Sequence, residues 1–212
     1  MVVNQTVRLV NLWAAFEAEH PGAGIEDFCR HYLASIETKQ GDTPPPGELR
    51  PDLNGQLMIL LRRIGKFHIT YSNKALEGTG LDQMEEFGIL VTIYNQKNPI
   101  KSEAIYNNII ELSSGSNMLI RLKKRGLVSE FVSDEDKRVK RLELTPKGVA
   151  TLLKAKDFVL QVAHMMVYDL SDEDKRLCIQ LLRPIDERFS GLYAKQKSKS
   201  WEEIYKENTS AS

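Results

Sequence analysis

Ser113, Ser114, Ser116 and Asn117 are followed at helical spacing by Arg121 and Lys124, and a second basic group, Lys137, Arg138 and Lys140, comes soon after. Hydroxyls and carboxamides donate and accept hydrogen bonds, while guanidinium and ammonium groups pair with anions. A row holding both is equipped to read a polyanion by its charge and by its hydrogen-bonding edges. Each residue alone has a plainer use. Ser113 or Ser114 caps any helix, Lys123-Lys124-Arg125 complements the dipole at a helix C-terminus, and a charged turn is often just solvated. The conjunction is what gives the pattern meaning: a polar-faced helix, an Arg125-Gly126-Leu127-Val128 exit, and Lys137, Arg138, Lys140 and Arg141 in the segment that follows.

The surrounding pattern shows which elements must position these groups. Ser102 to about Ile110 and Ser113 to Arg125 read as two short helices, with Met118, Leu119 and Leu122 forming the inward face of the second. So little chain between them predicts a helix-turn-helix. From Leu127 the period changes from helical to alternating, and Leu127 to Val132 and Val139 to Leu144 predict a hairpin with a charged tip. Thr145-Pro146 then restarts a helix, threonine as cap and proline at the first position, running to about Tyr168. Ser171 caps a last long helix from Asp172 to Tyr193, in which Pro184 predicts a kink or break.

Upstream, Leu57, Leu60, Leu61, Ile64, Phe67, Tyr71 and Ala75 form one helical stripe from Asp52 to Glu77, closed by Gly78 and Gly80. Asp82 is placed to cap the next helix, which carries Phe87, Leu90 and Tyr94 and stops at Asn98-Pro99. Pro44-Pro45-Pro46-Gly47 supplies three residues without amide donors and reads as a linker. Before it, two amphipathic helices are broken at Pro21, Gly22 and Gly24.

The 212 residues carry 29 basic and 29 acidic side chains, and 42% are apolar, which is ordinary globular composition. The zero net charge is a cancellation. Residues 1 to 50 hold 4 basic and 7 acidic groups, whereas residues 100 to 148 hold 10 and 7. The two cysteines, Cys29 and Cys178, fit neither a disulfide framework nor a zinc site, and Cys178 is expected to be a buried, inert thiol. With no apolar run long enough to span a bilayer and no leader-like start, a cytoplasmic protein without membrane attachment is expected.

Residues from about Leu53 to Leu192 resemble a MarR-type winged-helix transcriptional regulator. The specific part is Arg121 to Gly148, with its Arg-Gly-Leu-Val exit, the Asp136-Lys137-Arg138 wing tip and Leu144-Thr145-Pro146-Lys147-Gly148. The resemblance implies a mainly α fold with a small β-hairpin wing, a winged helix-turn-helix flanked by long dimerisation helices. It also implies that Arg138 meets the minor groove, that Asp136 holds the wing by ion pairing, and that the protein works as a homodimer on a roughly palindromic operator. Ser133 stands where the family often has an aspartate at the start of the wing turn.

On this reading the chain divides into an N-terminal helical extension (1–40), a Pro/Gly-rich linker (41–51), a first dimerisation helix (52–80), a winged helix-turn-helix DNA-binding domain (81–148), C-terminal dimerisation helices (149–196) and a polar tail (197–212).

The expected DNA contacts are Ser113, Ser114, Ser116, Asn117, Arg121, Lys124, Lys137, Arg138 and Lys140, with Asp136 stabilising the wing. Many MarR-like proteins release DNA on binding a small aromatic ligand, and Phe67, His68, Tyr71 and Tyr94 are the residues here for such a pocket, although the commoner use of each such residue is as plain core or interface. Met58 stands where peroxide-sensing members carry a reactive cysteine. The four histidines show no metal-ligand spacing, so no metal and no cofactor is expected. No nucleophile-elbow, phosphate-loop, dinucleotide or zinc-protease motif occurs, and a non-enzyme is expected. The alternative is a winged-helix protein-interaction module without direct DNA readout, against which stands the lack of an apolar anchor on the second helix.

Overall fold

A computed structural model describes residues 4–37, 51–133 and 136–209. The proline-rich linker, and Asp134 and Glu135 of the wing, lie outside the described residues. The chain forms two compact units, Met1–Gly55 and Gln56–Ser212. In the first, α1 (Gln5–Glu19) and α2 (Ile25–Glu37) are joined through Gly22, whose φ of +89° is one that glycine adopts without strain. Asn4 caps α1 by accepting from the Thr6 amide at 2.9 Å. Phe16 and Phe28 are buried here, with ring centroids 5.6 Å apart and Trp13 edge-on to Phe28. His20 and His31 both pack on Phe16.

The second unit takes in all but the first three residues of α3 (Leu53–Ala75), followed by α4 (Met84–Gln96), α5 (Lys101–Tyr106), α6 (Leu112–Lys124), β1 (Val128–Val132), β2 (Lys140–Leu144), α7 (Pro146–Met166), α8 (Asp172–Gln196) and α9 (Trp201–Thr209). It is mostly helical with one small antiparallel hairpin, in which Val128 pairs with Leu144 and Val132 with Lys140. The core lies beneath the helix-turn-helix and wing. Leu76, Ile89, Leu90, Ile105, Leu119, Leu122, Leu127 and Leu142 are all excluded from solvent there, joined by Leu152, Ala155 and Val159 from α7. Gly115 explains how α5 and α6 cross so closely. A Cβ on it would stand 2.5 Å from Ile105 Cγ2, so any larger residue in this turn must displace the Ile105 side chain or the helix.

Three expectations are corrected. Asp82 does not cap α4: the N-cap is Gln83, and Asn73 Oδ1 from α3 accepts from the Met84 amide at 2.7 Å, while Asp82 is drawn to Arg125. Pro184 does not break α8, which continues through it from Asp172 to Gln196. The amide it lacks would have bonded the carbonyl of Gln180, an exposed residue whose carbonyl water can satisfy. Cys178 is exposed, because the α8 surface around it stays open in the single chain, with Ile179 52% and Leu181 55% accessible. Within the polar tail, Trp201–Thr209 is helical. Among the described residues, no helix is long and apolar enough to cross a membrane, and no group of three or more His, Cys, Asp or Glu side chains could hold a metal ion.

Candidate nucleic-acid interface

The second helix of the helix-turn-helix, α6, buries Gly115, Met118, Leu119 and Leu122. That leaves Ser113, Ser114, Asn117, Arg121 and Lys124 exposed along the opposite side, with Ser116 half-buried beside them. Arg121 is also tied inward, its Nε lying 3.8 Å from Glu86 Oε1. The C-terminus of α6 ends in a left-handed Gly126, φ +72°. The amides of Gly126 and Leu127 return to the carbonyls of Lys123 and Leu122 at 2.9 and 3.0 Å, a closed helix end that aims the chain into β1.

The Leu-Thr-Pro-Lys-Gly segment fastens this exit. Thr145 Oγ1 donates to the Gly126 carbonyl at 2.7 Å and accepts from the Gly148 amide at 3.0 Å, while the Thr145 amide donates to Leu127 O at 3.1 Å. Lys147 Nζ adds a bond to Arg125 O at 2.8 Å. A Cβ on Gly148 would collide with the Leu127 carbonyl. One short motif therefore caps α7 and clamps the end of α6 together.

A buried charge pair missed by sequence reasoning ties α6 to α4. Glu86 is completely buried, and Arg125 Nη2 lies 2.6 Å from its Oε1. Arg125 Nη1 reaches Asp82 Oδ2 at 3.1 Å and the Gly80 carbonyl at 2.9 Å, and the Asp82 amide donates to Glu86 Oε2 at 3.0 Å. Such a pair fixes geometry more surely than it adds stability, because the desolvation of both ions offsets much of their attraction.

The wing is braced at both ends. At its tip, the Asp136 carboxylate accepts from the Arg138 amide at 2.9 Å and from Arg138 Nε at 3.4 Å, and the Val139 amide closes the turn on Asp136 O at 2.9 Å. The Arg138 side chain is 93% exposed. Lys137 and Lys140 are exposed on either side of it. At the base, Arg141 Nε donates to the buried Ser133 hydroxyl at 3.2 Å and Nη1 to the Asn98 carbonyl at 3.0 Å, so serine supplies the acceptor at this position. Glu130 on β1 receives Lys140 at 3.0 Å, Lys123 at 3.2 Å and Lys101 at 3.6 Å. Burial pushes the Glu130 carboxyl up, but hydrogen bonds from Lys140 and Lys123 and the charges of Lys101 and Lys123 outweigh it and hold the group below the ordinary carboxylate value.

The proposed pocket residues do not converge in the single chain. Phe67, Tyr71 and Tyr94 are each about half exposed and His68 is half-buried. Tyr94 lines a cavity of about 280 Å³ with Ile93, Lys97, Asn98, Glu143 and Leu144, and the other three are not among its walls. A second cavity, about 330 Å³, lies between α5 and α8, with Tyr106, Asn107, Ser190 and Tyr193 in its walls.

No family model matches the sequence, and no curated protein does. Solved structures do. A MarR-family transcriptional regulator from Rhodococcus sp. RHA1 is similar over 64% of this chain and 96% of its own, at 23% identity and a TM-score of 0.58. A mutant MarR from E. coli complexed with operator DNA is similar over 64% and 99%, at 20% identity and 0.58. The chain has the MarR winged-helix fold. Bordetella bronchiseptica BpsR, described as regulated in DNA binding by 6-hydroxynicotinic acid, shares it over 62% and 98%, at 22% identity and 0.57.

Proposed function

We propose that this chain is a MarR-type transcriptional regulator that binds double-stranded DNA as a homodimer, acting as a repressor at a roughly palindromic operator. The observation that carries this reading is the pairing of a polar, basic α6 surface with a braced wing that holds Arg138 almost wholly in solvent. In this reading α6 enters the major groove, where Ser113, Ser114, Ser116, Asn117 and Arg121 meet base edges or phosphates and Lys124 meets the backbone. Arg138 reaches the minor groove, flanked by Lys137 and Lys140, with Asp136 setting its position.

Dimerisation is supported by the apolar surface that a single chain leaves open. Leu57, Leu60, Ile64, Phe67 and Tyr71 on α3, with Leu181, Ile185 and Phe189 on α8, are all 45% exposed or more. Two-fold pairing is the commonest way to bury such a surplus, and it pairs the two reading heads. Release by a small aromatic ligand is supported by the cavity beside Tyr106 and Tyr193, which adjoins both the helix-turn-helix and α8, and by the ligand named for BpsR.

The test is a salt titration of binding to a labelled duplex. Arg138→Ala should weaken binding and, because a cation in the groove also displaces counterions from the flanking phosphates, reduce the slope of log affinity against log salt by up to about 0.9. Unchanged affinity and slope would remove the wing from the interface.

A further inference from the structure

Lys101, Lys123 and Lys140 come from three different elements, the start of α5, the last turn of α6 and the start of β2. All three converge on one carboxylate. Glu130 Oε1 holds Lys140 at 3.0 Å, and Oε2 holds Lys123 at 3.2 Å and Lys101 at 3.6 Å. The exposures are graded: the Glu130 side chain is 9% accessible, against 26%, 40% and 59% for Lys101, Lys123 and Lys140. The carboxylate is thus the floor of the cluster, and the ammonium groups form its rim. Three cations on one anion leave a surplus of positive charge in the gap between recognition helix and wing, where a duplex held by both would run its backbone. Each ammonium carries three donors, so contact with Glu130 leaves others for phosphate oxygens. Holding three long side chains in place beforehand also reduces the entropy that phosphate binding would otherwise cost.

We propose that Lys101, Lys123 and Lys140, gathered on Glu130, form a phosphate-binding site that grips the DNA backbone between the major-groove helix and the wing. The site rests on the DNA-binding reading above, and adds to it two lysines outside the recognition row and the wing tip.

The experiment is a salt titration of the full chain against a fluorescent mixed-sequence duplex, read by anisotropy. Lys101→Ala and Lys123→Ala should each lower the log–log slope by about 0.9, while Lys101→Arg, which keeps the charge, should return the parent slope. If the helix content of Lys101→Ala falls, Lys101→Gln replaces it with the same expectation. In a Glu130→Gln background the effect of Lys101→Ala should shrink to less than half, and full additivity would overturn the part assigned to Glu130. Parent slopes in both alanine variants, with Arg138→Ala lowering the slope, would overturn this site alone. A parent chain without salt-dependent binding would overturn the DNA reading and this site with it.

Discussion

Replacing Arg125 with alanine should destabilise the winged-helix unit by about 3 kcal/mol, the lower end of what stranding one partner of a buried ion pair costs. The figure follows from what is left behind. Glu86 has no solvent access and loses a partner 2.6 Å away. Its remaining contacts are the Asp82 amide at 3.0 Å and Arg121 at 3.8 Å, and the Arg121 side chain is 46% exposed, so it compensates weakly. The low end of the range is taken because Arg125 is itself 27% exposed and partly screened. For a unit of this size, about 3 kcal/mol corresponds to a fall in Tm of roughly 6 to 12 °C. Urea unfolding followed by circular dichroism, at one fixed protein concentration, measures it. Glu86→Gln combined with Arg125→Ala removes the stranded charge and should recover at least about 1 kcal/mol relative to Arg125→Ala alone. A loss under about 1 kcal/mol in the single variant, or a double variant no more stable than the single, would refute the claim that this pair locks α6 to α4.

Two further outcomes follow from the same geometry. Gly115→Val should cost about 1 to 3 kcal/mol by driving α5 from α6, since even a Cβ meets Ile105 at 2.5 Å; a thermal melt matching the parent would contradict the close crossing. Glu130, held below its ordinary value of 4.5, contributes stability that is fully present above pH 4.5 and is lost as pH falls through its lower folded value. The stability difference between the parent and Glu130→Gln should therefore vanish on acidification through that window, and a difference that persists or grows there would contradict it.

Much of the frame was legible because it rests on local rules. Helical spacing of Met118, Leu119 and Leu122 marked the buried side of α6, Gly126 marked its end, and Thr145-Pro146 marked the start of α7, each a preference of a few neighbouring residues. What was missed depends on contacts far apart in sequence. Nothing near Arg125 signals that it reaches Asp82 and Glu86, and nothing near Lys101 signals Glu130. Periodicity reports which side is buried, not which charges meet. The α9 helix had a local signal that its polar composition hid. Ser200 and Glu203 form a capping box, the Ser200 amide donating to Glu203 at 2.8 Å and the Glu203 amide to Ser200 Oγ at 3.3 Å. The expected burial of Cys178 fails for a different reason: an apolar helix face need not be covered within its own chain, and α8 keeps this one open. The long apolar faces of α3 and α8 carry the same lesson, because amphipathicity shows that a surface needs a partner without showing whose.

The central claim is that α6 reads DNA bases and that two copies do so together. Selection from a random-sequence duplex pool by the full chain tests both at once. The account predicts enrichment of an inverted repeat with half-site centres about one helical turn apart, and a shifted base preference, costing roughly 1 to 3 kcal/mol at the affected pair, for Asn117→Ala and Arg121→Ala. A pool that stays random, or an identical consensus for parent and both variants, would contradict it.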